Sequence, residues 1–405
     1  MIAVKNWIKN RYKQAINSIA FYPAIIAIVF LIISFFSITF DFSEQGKEFK
    51  SQLKWLKLSD ASTARSIISS IAAGIISLTV FSFSMVMIVL NQTASQMSNR
   101  ILDKLIGSRF QQFALGVYVG TIVYALFLLS SIRDVDSGIR IPALSTYLLI
   151  LITVLDVFLF IYFLHYITQS VKYEVIIRRI FKETKASMED KCCLSEAPVD
   201  SSTINNDFVI YSIDSGIYES FDGRALLGIC NENDCTLHIL PAPGTFVLQG
   251  FPIAKADKEL PARVIKEIND ALNLGEHESI EENYFYGYRQ LSEVAIKALS
   301  PGINDSGTAI ESMRALFKLY SYRACHFPIN EIRNEDNNHK IALTEISFEN
   351  IFERTLKPIW DYGKDDRMIQ DEMEQLLLQL YSVSDHAIVS DLLKVVRDKI
   401  YRRKL

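Results

Sequence analysis

Four stretches of this chain are long and apolar enough to cross a lipid bilayer as helices. A bilayer core about 30 Å thick needs about 20 mostly apolar residues, because a helix rises about 1.5 Å per residue. The four stretches are residues 19–40, 67–90, 113–132 and 143–166. No small-residue cleavage pattern follows the first, so we interpret it as a retained anchor rather than a signal peptide. The pattern predicts an N-terminal segment (1–18) and a four-helix transmembrane domain (19–168).

After the fourth stretch, the pattern becomes that of a water-soluble domain. A polar and basic linker (169–206) is predicted to begin as an extension of the fourth helix. Residues 207–260 contain short β-type runs between turn signals, Ala225 to Ile229 among them, which predicts a small antiparallel sheet or barrel. From residue 261 the apolar period is helical, and it predicts a helical domain (261–405). The expected helices are 263–274, 283–299, 305–320, 343–357, 366–380 and 385–402, and polar residues 334–340 form a predicted mobile loop.

The fold class predicted from these patterns is an α-helical membrane domain followed by a cytoplasmic α+β domain. Near the helix ends, twelve Lys and Arg residues lie before the first helix, between the second and third, or within about twenty residues after the fourth, against seven in the other two loops. Positively charged residues that flank membrane helices tend to remain on the cytoplasmic side. We therefore expect a protein of the bacterial inner membrane, with both termini and the C-terminal domain in the cytoplasm. The five cysteines are an odd number with irregular spacing, which favours a reducing compartment over a disulfide framework.

Small polar residues recur every seven positions along the second apolar stretch. Thr63, Ser70, Ser77, Ser84 and Asn91 share one face of a slightly supercoiled helix, with Ser66 and Gly74 close to it. In one interpretation several copies of this helix surround an aqueous path lined by Ser70, Gly74, Ser77, Ser84 and Asn91. In the other, the small residues let helices approach closely and hydrogen-bond. The uncharged polar run from Asn91 to Asn99 either coordinates a partly dehydrated ion or caps the helix end.

Two ionisable residues stand out in the fourth apolar stretch. Asp156 lies near its centre, where a charge costs about 2.5 to 3.5 kcal/mol on insertion scales, so it should face protein or water. It is a candidate ion-attracting group or proton carrier, and a structural hydrogen bond to a Ser or Tyr of a neighbouring helix is the alternative. His165 lies near the cytoplasmic end and is either a pH sensor or an ordinary interfacial side chain.

Several segments resemble a bacterial predicted-membrane-protein family of unknown function, domain of unknown function 2254. They are residues 77–100, 116–124 and 161–165 and the motif Ala298-Leu299-Ser300-Pro301-Gly302-Ile303-Asn304-Asp305. The resemblance implies four membrane helices and a cytoplasmic domain, and it gives no reaction or ligand. Where the family usually continues Asn-Asp with Pro, this chain has Ser306-Gly307, which leaves the role of that proline open here.

The motif itself has two interpretations. Ser300, Pro301, Gly302, Asn304 and Asp305 form a rigid turn in which Asp305 can accept from the first free amides of the next helix. Alternatively, the turn presents a ligand-binding or subunit contact.

The sequence favours transport or binding over catalysis. It has no phosphate-binding Gly-Lys-Ser/Thr loop, no His-Glu-x-x-His and no Cys-x-x-Cys, and Cys230 and Cys235 fit a strand and its turn better than a metal site. We therefore expect no enzyme, no cofactor and no metal. With a net charge of -4, the chain has no overall positive potential that would attract nucleic acid. The expected partners are membrane lipid, further copies of the chain and inorganic ions.

Two functions follow as hypotheses. The first is an oligomeric inner-membrane ion channel or channel-like transport protein, whose second helix lines the path and whose cytoplasmic domain assembles or gates it. The second is a membrane-anchored sensor or scaffold whose cytoplasmic domain binds a ligand or a partner protein.

Overall fold

A computed structural model describes residues 21–52, 60–96, 109–132, 142–196, 208–276, 278–333 and 340–404. Contacts divide the chain into a membrane unit, Met1–Lys172, and a second unit, Tyr173–Leu405. We call the second the soluble unit because its sequence pattern predicts a water-soluble domain.

The secondary-structure elements described in the membrane unit are all helices. Its helices are α1 (Phe21–Phe42), α2 (Glu44–Gln52), α3 (Ala61–Gln96), α4 (Arg109–Ser131) and α5 (Ala143–Ser170). Those long and apolar enough to span a membrane are α1, α3, α4 and α5. The four predicted transmembrane helices are therefore confirmed, with α5 extending four residues beyond the apolar stretch that predicted it.

Helices α1 and α4 lie in close contact because α4 has glycines at the crossing. Gly116 and Gly120 are one helical turn apart. A Cβ on Gly116 would lie 3.1 Å from the Cα of Pro23, and one on Gly120 would lie 2.7 Å from two ring atoms of Phe30. Small residues at this spacing let membrane helices approach backbone to backbone.

The N-terminus of α5 is capped by a side chain from another helix. Pro142, at the N-cap position, makes no side-chain cap bond. Asp41, fully buried at the end of α1, accepts a 2.9 Å hydrogen bond from the Ser145 amide. Its other oxygen lies 2.6 Å from the Lys50 ammonium of α2. Tyr124 of α4 donates to the Ser145 carbonyl at 3.2 Å, so three membrane helices and α2 meet at one point.

The soluble unit contains both helices and strands. They are α6 (Tyr173–Lys191), β1 (Phe208–Tyr211), β2 (Gly216–Phe221), α7 (Gly223–Asn233), β3 (Leu237–Ile239), β4 (Thr245–Val247), β5 (Pro252–Ala256), α8 (Ala262–Ala271), β6 (Leu272–Gly275), α9 (Tyr284–Ala298), α10 (Ser306–Cys325), β7 (Glu331–Arg333), β8 (Lys340–Leu343), α11 (Phe348–Gly363), α12 (Arg367–Val383) and α13 (Ala387–Lys404). The predicted helices from residue 283 onward are all present.

The described strands form two open sheets. One has the order β1-β5-β3-β8-β7 and is antiparallel except where β3 runs parallel to β8, and the other is antiparallel in the order β4-β2-β6. Neither sheet closes, so the barrel alternative is not what these residues form. Strands β6, β7 and β8 come from the segment predicted as purely helical. The sequence pattern therefore changes at residue 260, but this residue does not separate two structural units.

Three local predictions are wrong. Ala225 to Ile229 belongs to helix α7, because the Asp222 carboxylate accepts from the amides of Arg224 and Ala225 at 3.1 and 3.0 Å and starts a helix there. The predicted extension of the fourth helix is a separate helix, since α5 ends at Ser170 and α6 begins at Tyr173.

The helix predicted over 263–274 ends at Ala271, after which β6 pairs with β2. The predicted loop lies outside the described residues at 334–339, and Lys340 begins β8.

Helix α6 packs on α9 and α10, and its last residues lie beside the sheet. A Cβ on Gly287 of α9 would overlap the Thr184 side chain of α6, so the two helices touch at the backbone of Gly287. The core beneath includes Tyr320 of α10, whose hydroxyl lies 2.6 Å from that of Thr355.

Replacing Gly120 with Ala should destabilise the protein, because the added methyl group has no room beside Phe30. We expect a net loss of about 1 to 3 kcal/mol, measured by thermal unfolding in detergent. Gly74→Ala is the matched control, since its Cβ would meet nothing within 4 Å and the helix gains propensity. Equal losses in the two variants would contradict the close α1–α4 contact.

Replacing Asp41 with Ala should cost about 3 to 5 kcal/mol of stability, because the change leaves Lys50 and the α5 amides without their buried acceptor. Asp60→Ala is the comparison, since Asp60 also caps a helix, through the Thr63 amide at 2.9 Å, but is exposed. A loss at position 41 no larger than that at position 60 would show that the buried cap is not the stabilising contact.

Candidate functional site

The polar face predicted on the second membrane helix is exposed in the described chain. Ser70, Gly74, Ser77, Ser84 and Asn91 are all exposed on α3. The Ser77 and Ser84 hydroxyls donate to main-chain carbonyls one turn earlier, at 3.0 and 2.9 Å. These bonds use the hydroxyl hydrogens within the helix itself. The face is thus not used to pack α3 against the other described helices.

This face changes character along the helix. In its N-terminal half, exposed small residues repeat every four positions at Ser62, Ser66, Ser70 and Gly74. In its C-terminal half, large apolar side chains flank the polar positions, with Val80, Phe81 and Ile88 exposed by 61%, 55% and 63%. The small polar surface is therefore broad near Ser70 and narrow near Ser84. Side chains 92–96 and residues 97–100 of the polar run lie outside the described residues.

Asp156 is fully buried between α5 and its neighbours. Its carboxylate lies beside Thr121 and Tyr118 of α4. The Thr121 hydroxyl donates to the Val117 carbonyl at 3.0 Å, and neither Asp156 oxygen has a hydrogen-bond partner among the described residues. The Tyr118 hydroxyl also has none within the described chain. The predicted structural hydrogen bond from a Ser or Tyr is therefore not made there.

This polar layer lies between two apolar clusters of the membrane unit. One cluster contains Leu149 and the other Phe163, two helical turns before and after Asp156 on α5. A buried carboxyl group without a donor is costly to keep in lipid, which makes it a functional candidate. His165, by contrast, is exposed, and its ring has no hydrogen-bond or ionic partner in the part of the chain that the structure describes.

The Ser300 to Asp305 turn is a helix cap in the described structure. Asn304 takes a left-handed conformation with φ of 51°, and Asp305 accepts the Thr308 amide at 3.0 Å and its hydroxyl at 2.6 Å. Pro301 and Gly302 are exposed, and Gly302 has an ordinary φ. The Ser306 hydroxyl, at the position of the family's usual proline, donates to Asp366 at the start of α12. Ser306 thereby links the starts of two helices.

The soluble unit contains a cavity of about 340 Å³ that the sequence did not reveal. It lies where α6, the sheets and the start of α9 meet. Its walls are largely apolar and its charged groups are mostly carboxylates. The lining residues are Asp190, Lys191, Tyr218, Glu219, Ser220, Phe221, Pro243, Glu282, Asn283, Tyr284, Pro328, Ile329, Ile332, Leu343, Glu345 and Ile346.

Glu345 is the most perturbed group of the cavity. Protein surrounds its side chain, which keeps some surface toward the cavity, and this burial raises the pKa of its carboxyl to about 7 against the attraction of Arg323 and Lys191. Burial also lowers the pKa of Lys191, whose ammonium donates to the Glu282 carbonyl. Arg323 donates to main-chain carbonyls of His326 and Ile346, each at 3.3 Å. No described residue donates a hydrogen bond to Glu345.

One sequence signal could have pointed to this cavity. Arg323 follows Leu319 and Tyr320 on the buried face of α10, so a charge occupies a core position of an amphipathic helix. Lys191 and Glu345 have no such local signal, because only the folded chain brings them together.

Comparison with known proteins gives a family and distant relatives. A family model described as a predicted membrane protein (DUF2254) matches residues 16–379. Uncharacterized proteins of Mycobacterium bovis and Mycobacterium tuberculosis are each 20% identical over 331 residues, which cover 78% of this chain and 63% of theirs. The chain thus spans less than two thirds of the length of these curated relatives. No solved structure matches.

Replacing Glu345 with Gln should remove part of the pH dependence of stability. The folded carboxyl has a pKa of about 7 against an ordinary value of 4.5. The folded state binds this proton more tightly, so the stability contributed is full below about pH 4.5 and is lost as the pH rises through about 7. Thermal unfolding in detergent should show the wild type losing stability relative to the variant across this window.

Glu353→Gln is the matched control for that measurement, because Glu353 is exposed and pairs with Lys357 on the same helix surface. Its pH profile should follow that of the wild type. Parallel profiles for the wild type and Glu345→Gln would contradict the perturbed carboxyl.

Proposed function

This chain belongs to the predicted-membrane-protein family with domain of unknown function 2254, and from the geometry of its membrane helices we propose a transport function. The protein is proposed to be an oligomeric ion channel or channel-like transport protein of the bacterial inner membrane. Helix α3 lines the path between copies, and the soluble unit, in the cytoplasm, assembles or gates it.

The observation that carries this proposal is the exposed polar face of α3. Polar side chains of membrane helices normally face protein or water, because lipid offers them no hydrogen-bond partners. Ser70, Ser77, Ser84 and Asn91 are exposed in the subunit, and a Cβ on Gly74 would meet open space. Further copies of α3 and a water-filled path between them would satisfy such a face.

The charges of the membrane unit support a channel more than a coupled pump. Pumps and coupled transporters use broken helices and several buried ionisable groups near the midplane. In the described spans, Asp156 is a buried carboxyl near the helix centre, and α3, α4 and α5 run without interruption. The proposed role of Asp156 is to attract cations toward the path or to carry a proton.

A second function has its own support. The cavity of about 340 Å³ beside Glu345 is suited to a small molecule, which favours a membrane-anchored sensor whose soluble unit binds a ligand. In that case, bulky changes on the α3 face would disturb assembly only, and binding by the soluble unit would persist.

Ser77→Phe should block ion flux through the purified protein in liposomes, because the ring would fill the path at its polar face. The matched control is Ile76→Phe, which introduces the same ring one residue away at a position that already carries a large exposed apolar side chain. Flux of a fluorescent-reported monovalent cation should fall to the level of empty liposomes in the first variant and persist in the second.

The oligomeric state of both variants and of the wild type is measured in the same detergent. A strict monomer, or wild-type liposomes without conductance under any ion gradient, voltage or pH, would contradict the channel proposal.

A further inference from the structure

The cavity of the soluble unit is predominantly acidic. Among the described residues, its lining includes four with carboxylate side chains, Asp190, Glu219, Glu282 and Glu345, and one with an ammonium group, Lys191. Lys191 already donates to a main-chain carbonyl, that of Glu282. A mobile cation therefore meets a more favourable field in this cavity than an anion does.

The walls of the cavity are apolar and partly aromatic. Tyr218 and Phe221 of β2 and Ile332 of β7 contribute to them, and Ile329 is an apolar lining residue that is 44% exposed. Aromatic faces attract organic cations through the negative charge of their π-systems. A volume of about 340 Å³ fits the lower part of the range of small-molecule sites, about 300 to 1,000 Å³.

Two polar groups at the cavity lack partners in the described chain. Glu345 accepts no hydrogen bond there, although it is surrounded by protein. Asn283 is 2% exposed, and its side-chain oxygen accepts from the Phe285 amide at 3.0 Å, while its Nδ2 has no acceptor among the described residues. Buried polar groups are normally satisfied, so the unpartnered Asn283 amide, at the same cavity as a carboxylate that accepts no hydrogen bond, points to a ligand that binds there.

We propose that this cavity binds a small organic amine in its ammonium form. The ammonium group donates to the Glu345 carboxylate, and the apolar body of the amine packs against Tyr218 and Phe221. Where the ligand carries an acceptor, the Asn283 amide donates to it. The proposal does not depend on the proposed channel, so either can fail without the other.

An anionic ligand is the competing possibility, because two cations lie near Glu345. Both already bond to the protein, since Arg323 donates to the carbonyls of His326 and Ile346, and Lys191 donates to that of Glu282. The Arg323 Nε has no acceptor among the described residues, but Arg323 is buried and is not a lining residue of the cavity. An anion would therefore have to approach Lys191 beside four residues with carboxylate side chains, whereas an ammonium ion meets a carboxylate that accepts no hydrogen bond from the described chain.

The probe is benzylamine, titrated into the full-length detergent-solubilised protein by calorimetry, with benzyl alcohol and benzoate as neutral and anionic counterparts. Benzylamine should bind more tightly than either. Glu345→Gln should weaken benzylamine binding by about tenfold or more, because a charge-assisted hydrogen bond is lost, and Glu353→Gln should leave it unchanged. Benzoate binding more tightly, or no heat from benzylamine, would overturn the proposal.

A second variant tests the same site in case Glu345→Gln does not fold. Ile329→Trp fills the cavity from an exposed position, so the fold is retained and benzylamine binding should be lost. Unchanged binding in this variant, with a wild-type unfolding curve, would place the amine elsewhere and refute the site.

The pH dependence of benzylamine binding provides an independent test. Affinity should fall as the pH is lowered from about 8 to about 5, since Glu345 has a pKa of about 7 and takes up a proton. The Glu345→Gln variant should not show this loss of affinity at low pH. If the loss persists in that variant, another group is responsible for it. The ionisable groups near Glu345 are Arg323, Lys191, Tyr218, Tyr284, Cys192, Asp190, Glu219 and Glu282.

Discussion

The arrangement of the membrane unit depends on one carboxylate that ends one helix and begins another. A helix that starts in the interior of a protein has free amides there, and they need an acceptor from the protein. Pro142 has no side-chain acceptor for the first amides of α5. Asp41 accepts a hydrogen bond from the Ser145 amide instead, and Lys50 balances the charge of Asp41. With α5 fixed against α1 and α4, helix α3 packs one face on α4 and α5 and leaves the other exposed. The exposure of the polar face is thus a consequence of how the other helices are tied together.

Two buried carboxyl groups, Asp41 and Asp156, and the partly buried Glu345 differ in how fully the protein satisfies them. Asp41 has an amide and an ammonium and is structural. Glu345 has two nearby cations but no hydrogen-bond donor among the described residues, and Asp156 has neither there. Unsatisfied buried groups cost stability, and proteins retain them chiefly where a proton, ion or ligand uses them. The fewer hydrogen-bond and charge partners one of these carboxyl groups has in the protein, the stronger a candidate it is for a functional role.

The parts of this fold that could be predicted from the sequence are those with a long and regular period. The four spans and the helices after residue 283 have such periods, and Asp305 was predicted as a cap because a turn precedes it and a helix follows. Ala225 to Ile229 was misassigned, since a short apolar run fits a strand and a buried helix equally well. The pairing of β3 with β8 joins residues about a hundred positions apart, beyond any local pattern. The cavity depends on the same long-range contacts, which is why Glu345 was not predicted as a site residue.

The change of side-chain size along the exposed face of α3 has a geometric consequence for any copies that meet there. Where Ser66, Ser70 and Gly74 face each other, two backbones can come close, and where Phe81 and Ile88 face each other they are held apart. The axes of neighbouring α3 helices would then diverge toward their C-terminal ends. A ring of such helices would be a cone rather than a cylinder, narrowest at the N-terminal end of the small-residue surface, with its wide end on the side where Asn91 lies.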